Sequence, residues 1–128
     1  MSIKDNALKL HENGYNCAQS VLAGSKEYTG LDEETALAIS AGFGGGLRSG
    51  EVCGAISGAV MAVGMKHPFA DANDAEAKVK IAALTKQCVN MAKEKYGCVS
   101  CLDLKRNGVS CSEIIGYMAD VAEELMNK

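Results

Sequence analysis

Apolar and polar positions follow one another along most of the chain with the period of helices. Residues 71–96 form the longest such segment. There Ala77, Ile81, Leu84, Cys88 and Met91 recur at spacings of three and four, which predicts one buried stripe with Cys88 as core packing. Residues 3–12 set Ile3, Ala7, Leu8 and Leu10 on a charged background, a first helix that ends at Asn13-Gly14, where glycine can take the left-handed cap conformation. A second helix starts at once: Asn16 is a good N-cap and Gln19 stands three residues on, as in a capping box. Gly30-Leu31-Asp32-Glu33-Glu34 reads as a turn and a helix start, its carboxylates at the positive end of the dipole, and this helix is expected to reach Ser40. The last helix opens at Ser110, where Glu113 completes a Ser-x-x-Glu capping box, and its apolar face carries Ile114, Ile115, Met118, Val121, Ala122 and Leu125.

Two segments between these are patterned differently. Gly42-Phe43-Gly44-Gly45-Gly46-Leu47-Arg48-Ser49-Gly50 is too glycine-rich to be helical. The run from Val52 to Met65 is apolar or small throughout, yet shorter than the roughly 20 residues of a membrane span, and reads as a buried core helix. Gly54, Ala55, Gly58, Ala59 and Ala62 give it a small-residue side that another helix backbone can approach. The long helix closes at Tyr96-Gly97 behind Lys93 and Lys95, and a linker holding Cys98-Val99-Ser100-Cys101 runs to Asn107-Gly108. No segment alternates as a strand does. The predicted fold is therefore all-α: a single domain over residues 1–128, a compact bundle of about five to six helices with a Gly-rich loop before a central buried helix.

Composition supports this picture. A length of 128 residues fits one domain, and 48% hydrophobic against 23% charged residues is enough for a real core. Trp is absent and aromatics make up 5%, so that core must come from Ala, Val, Ile, Leu and Met. A net charge of −3 without a basic stripe argues against nucleic acid as a partner. Met1 to Asn6 lacks the continuous apolar run of a signal peptide, so neither export nor membrane insertion is expected and the chain reads as cytoplasmic.

In a reducing compartment six cysteines point to metal binding or redox chemistry, the alternative being that each is a small buried hydrophobe. Three of them, Cys17, Cys53 and Cys111, fall at predicted helix N-termini, where free N–H groups and the positive dipole end stabilise a thiolate. Thiolate is the form that attacks disulfides and binds iron or zinc. Cys98 and Cys101 form a Cys-x-x-Cys pair, suited to a redox dithiol or to two ligands of one metal, or else one loop and one core cysteine. No thioredoxin-like strand precedes the pair, and no second Cys-x-x-Cys makes a zinc ribbon.

The glycine loop lacks the Gly-Lys-Ser/Thr ending of a P-loop and follows a helix, so no nucleotide is expected. It is expected to let the backbone pass close to Cys53, with Arg48 either favouring nearby negative charge or merely solvated. His11 and His67 read as surface or capping residues, and the methionines as core fillers.

Cys53-Gly54-Ala55-Ile56-Ser57-Gly58, preceded by the glycine loop and by Gly50-Glu51-Val52, joins Asn16-Cys17-Ala18-Gln19 and two later cysteines in a pattern that resembles the redox-active family named C_GCAxxG_C_C. The resemblance covers nearly the whole chain. It implies that Cys17, Cys53, Cys101 and Cys111 are the family's four characteristic cysteines and that Cys88 and Cys98 are extra. The stretch from Cys101 to Cys111 is shorter than is usual in the family, so Cys98 is kept as a substitute for Cys101. The resemblance also implies a bacterial or archaeal source, often anaerobic. A similar module in split-Soret cytochromes binds a two-iron, two-sulfur cluster, so an iron–sulfur cluster of the [2Fe-2S] kind is the implied cofactor. Leu102 follows Cys101 where a haem-attachment motif has His, so no haem is expected.

The leading expectation is electron transfer through a cluster held by Cys17, Cys53, Cys101 and Cys111, whose sulfurs helix amides would hydrogen-bond. The alternatives are a metal-free thiol–disulfide oxidoreductase or sensor, and an accessory protein with a structural zinc site. A redox partner protein is implied without being identified, and whether the chain is an enzyme, and whether it self-associates, stay open.

Overall fold

The computed structural model describes residues 2–128. Among them are eight helices: α1 (Ile3–Glu12), α2 (Cys17–Gly24), α3 (Lys26–Thr29), α4 (Glu33–Ser40), α5 (Gly54–Lys66), α6 (Ala75–Tyr96), α7 (Cys101–Arg106) and α8 (Cys111–Met126). The all-α expectation holds, and the one β feature among the described residues is an isolated antiparallel bridge between Val52 and Ser100. Short polar side chains set most helix starts by accepting a free amide of the first turn. Ser2, Asn16, Asp32, Asp74, Ser100 and Ser110 take the N–H of Asp5, Gln19, Thr35, Ala77, Asp103 and Glu113 respectively.

The count exceeds the sequence expectation because α3 and α7 span only four and six residues, too few to show a helical period. The long helix also begins later than expected. Residues 71–74 form a bend in which Asp71 accepts the Asn73 N–H, and Asp74 then caps α6. Along α6 only Leu84, Cys88 and Ala92 are fully buried, while Ala77, Ile81 and Met91 are half-buried and Val79 is 70% exposed. Its first turns extend past the core, so the apolar stripe is wetted at one end.

α5 occupies the centre, packed against α2, α6 and α8, and α1 lies across α2 and α8. Leu22, Ile56, Ile115 and Leu125 are fully enclosed there. Burying a side chain of this size contributes about 1.5–3 kcal/mol. Close crossings need glycine. A Cβ on Gly58 would stand 2.8 Å from the Ala18 carbonyl oxygen, and one on Gly24 would stand 2.9 Å from the Ala7 nitrogen. His67 caps the far end of α8, its Nε2 lying 3.2 and 3.1 Å from the Leu125 and Met126 carbonyl oxygens, in keeping with a capping role.

Gly54 of α5 abuts Cys17 and Ala18, and Gly58 abuts Ala18 and Val21. Contacts that advance together along both helices mean that α2 and α5 run parallel, with their N-termini side by side. No described helix is long and apolar enough to cross a membrane.

Candidate redox site

Asn16 fixes the start of α2. Its side chain accepts the Gln19 N–H at 2.9 Å while the Gln19 side chain accepts the Asn16 N–H at 3.1 Å, the reciprocal box expected from the sequence. The remaining Asn16 amide donates to the Ala41 carbonyl at 3.0 Å, and Gly44 packs so closely on this side chain that a Cβ would stand 2.5 Å from it. α2 is thereby tied to the turn beyond α4, and Cys17 is held in the first helical position.

The Cys17 sulfur lies against the first residue of α5. A Cβ on Gly54 would come within 2.6 Å of it, which is why a glycine follows Cys53. Cys53 is the N-cap of α5, its own N–H donating to Val99 at 2.8 Å. The Cys17 and Cys53 side chains are within hydrogen-bonding reach of each other. Both are buried, at 7% and 4% exposure, so water competes little for this contact.

The two thiols titrate as a pair with opposite tendencies. Cys17 is held well below the usual thiol range, first by the Cys53 thiol that donates to it, then by the backbone N–H groups of Gly45 and Ala18 and its own, against the opposing effect of burial. Cys53 is pushed far up because its proton is held on the Cys17 thiolate, with burial and the Cys17 charge adding to the effect. The pair is thereby disposed to share one proton, with the charge favoured at Cys17. The adjacent N-termini of α2 and α5 favour the charge at Cys17 through their dipoles.

The glycine segment contributes in an unexpected way. After a single tight turn at Ala41–Phe43, Gly45, Gly46, Leu47 and Arg48 all take positive φ, at 65°, 64°, 60° and 58°, forming one left-handed turn. Such a conformation costs about 1–2 kcal/mol for each residue with a Cβ, here Leu47 and Arg48. The backbone passes beside Cys53 as the sequence led one to expect, the Phe43 carbonyl oxygen standing 2.9 Å from where a Cβ on Gly54 would lie, and the Gly45 amide is among the groups that lower the Cys17 thiol. Arg48 is exposed and is not among the groups that stabilise the thiolate.

Cys101 opens α7 behind its Ser100 cap and is buried; its N–H donates to Glu51 at 2.6 Å. Residues 51–53 and 99–101 flank the Val52–Ser100 bridge, and alternation along it places positions 53 and 101 on the same side. A fourth helix-start cysteine was thus hidden in what read as a linker. Cys111, in the first turn of α8, is exposed; burial of its sulfur and the charges of Cys17 and Cys101 push its thiol up, and Lys105 opposes them. Cys98 is half-buried and turned to other partners, accepting from the Asn107 amide at 3.5 Å and donating to the Tyr96 carbonyl at 3.7 Å. Cys88 is fully buried in the core, and burial pushes its thiol up to about 12.

A family model described as "Putative redox-active protein (C_GCAxxG_C_C)" matches residues 15–125. The chain belongs to this family. No curated protein and no solved structure matches it. The span matched to the C_GCAxxG_C_C model contains all six cysteines and every element that shapes the Cys17–Cys53 contact.

Sequence reasoning missed one pair beside the C_GCAxxG_C_C cysteines. Ser110 caps α8 as expected, but the Glu113 carboxylate does not close the box. It accepts the Tyr96 hydroxyl instead, and Tyr96 packs edge-on against Tyr117 with ring centroids 5.7 Å apart. Burial, the Glu113 contact and the charges of Glu113, Tyr117 and Cys53 all raise the Tyr96 phenol. No local pattern links the end of α6 to the first turn of α8.

A cluster or zinc ion on Cys17, Cys53, Cys101 and Cys111 would need all four sulfurs to converge. Among the described residues no group of three or more His, Cys, Asp or Glu side chains is arranged to hold a metal ion. The Cys17 sulfur lies instead against the residue that follows Cys53, at the adjoining helix start.

Proposed function

We propose that the chain is a dithiol–disulfide redox protein in which Cys17 is the attacking thiolate and Cys53 the resolving thiol. The observation that carries this reading is that the Cys17 sulfur, at the start of α2, lies against Gly54, the residue after Cys53 at the start of α5, with both cysteines buried; the Cys53 thiol and the Gly45 and Ala18 amides lower the Cys17 thiol. The Cys17 thiolate attacks one sulfur of a disulfide on a redox partner, forming a mixed disulfide and expelling the other sulfur as thiolate. Cys53 then gives its proton to solvent or to the departing sulfur and attacks the Cys17 sulfur. The second partner sulfur leaves, and the partner has gained the two electrons that the Cys17–Cys53 pair has lost.

Counting thiols in the unfolded chain before and after mild oxidation tests this: two of the six should disappear. An unchanged count would end the reading. The cluster reading is supported by Cys101 on the same side of the bridge as Cys53 and by the charge coupling of Cys111 to Cys17 and Cys101. Iron and acid-labile sulfide in anaerobically purified protein would favour it over the dithiol.

A further inference from the structure

α6 begins at Ala75, yet no residue of it before Leu84 is fully buried. Ala77 and Ile81 are half-buried against the core, and the opposite face lies open: Glu76, Val79, Ala82, Ala83 and Lys86 are all exposed. Val79, at 70%, is the most exposed large hydrophobic side chain among the described residues. A few helical turns on their own are marginal in water, so turns that the core does not reach gain from a neighbour.

Glu76, Val79, Ala83 and Lys86 follow one another at spacings of three, four and three, which sets them in one line along that face. The line is its own complement when reversed. A second copy of α6 laid antiparallel about a two-fold axis level with Ile81 brings position 76 onto 86 and 79 onto 83, and the symmetry repeats each pair. Val79 then stands on the small Ala83 of the second copy, which leaves room for it. Glu76 stands on Lys86 of the second copy, twice over. Neither Glu76 nor Lys86 makes an ion pair within the chain among the described residues. Parallel pairing would set Glu76 on Glu76 and Lys86 on Lys86.

We propose that this outward face of α6 is a self-association surface, through which two copies of the chain pair as an antiparallel, two-fold symmetric dimer. The contact covers Val79 and supports the turns beyond the core. Its seam runs over about 16 Å of helix. It therefore buries less than the roughly 1,600 Å² of a standard stable interface, and the dimer dissociates on dilution. The seam from Glu76 to Lys86 contains no cysteine, so pairing does not depend on the redox state of the chain.

Sedimentation velocity on the full chain tests this, with reductant present to keep the exposed Cys111 from linking copies. The weight-average mass should rise with concentration toward twice that of one chain, and added salt should reduce the rise. Glu76→Lys and Lys86→Glu each turn two attractive pairs into two repulsive ones, so each variant alone should associate at least about tenfold more weakly. Mixed in equal amounts, the two variants should associate as strongly as the unsubstituted chain, because one then carries lysine at both ends of the seam and the other glutamate. That recovery would also show that both variants fold. An unsubstituted chain that stays monomeric at its highest soluble concentration would overturn the proposal. So would a dimer that neither substitution weakens, or a mixture that does not recover.

Discussion

Replacing Gly54 by alanine puts a methyl group where the Cys17 sulfur now lies. The added carbon would stand 2.6 Å from that sulfur, 2.9 Å from the Phe43 carbonyl oxygen and 3.1 Å from the Ala18 nitrogen. Two of these neighbours are backbone and cannot rotate away, so the α2–α5 contact must open by a substantial fraction of an ångström. Overpacking of this kind costs about 1–3 kcal/mol. Alanine's better helix propensity returns up to about 1 kcal/mol, leaving a net loss of about 1–2 kcal/mol. Gly64, in the same helix, is the control: nothing lies within 4 Å of its added carbon. Gly64→Ala should therefore stabilise by about 0.5–1 kcal/mol. Urea denaturation followed by circular dichroism measures both changes. The displaced sulfur also loses its place at the paired helix starts, so alkylation of Cys17 by iodoacetamide at mildly acidic pH should slow in Gly54→Ala alone. If the two variants shift stability by the same amount and leave the alkylation profile unchanged, the geometry described for Cys17 is wrong.

In the unsubstituted protein the alkylation of Cys17 should reach half its maximum well below the usual thiol range. Cys53→Ala should move that midpoint upward, since the Cys53 thiol is the largest stabiliser of the Cys17 thiolate. Stability should depend on pH with a definite sign. Between the depressed value of folded Cys17 and the unfolded thiol value of about 8.5, the unfolded chain holds more protons, so stability rises with pH. Above that value folded Cys53 keeps a proton that the unfolded chain has lost, so stability falls. Urea titrations across this range should show the maximum; a Cys17→Ala/Cys53→Ala chain should lose the rise that leads to it, while a fall at higher pH remains because burial raises the Cys88 thiol as well. Asn16→Ala removes the cap of α2 and the bond to Ala41 and should cost about 1–2 kcal/mol by urea denaturation. Cys88→Ala should leave the oxidisable thiol count unchanged, since Cys88 lies in the core away from the pair.

The helices were legible wherever a cap and a long apolar period coincided. α2 and α8 begin where Asn16 and Ser110 dictate, and Gly97 ends α6 in the left-handed conformation at φ 76°. α7 was not legible because six residues carry no period, and its Cys101 consequently lost its helix start in the sequence reading. Three helix-start cysteines could be read from cap chemistry. That Cys17 meets Cys53, while Cys98 turns to Asn107, depends on the parallel packing of α2 on α5 and on the Val52–Ser100 bridge, neither of which is a local signal. The left-handed turn was legible only as an excess of glycine, because Leu47 and Arg48 adopt it against their own preference.

Mild oxidation of the full chain, followed by alkylation, digestion without reductant and mass mapping, tests the central claim most directly. The expected result is a cross-link between the peptides carrying Cys17 and Cys53, with Cys88, Cys98, Cys101 and Cys111 alkylated. A cross-link that omits either residue of the pair, or a chain in which all six cysteines are alkylated, would contradict it.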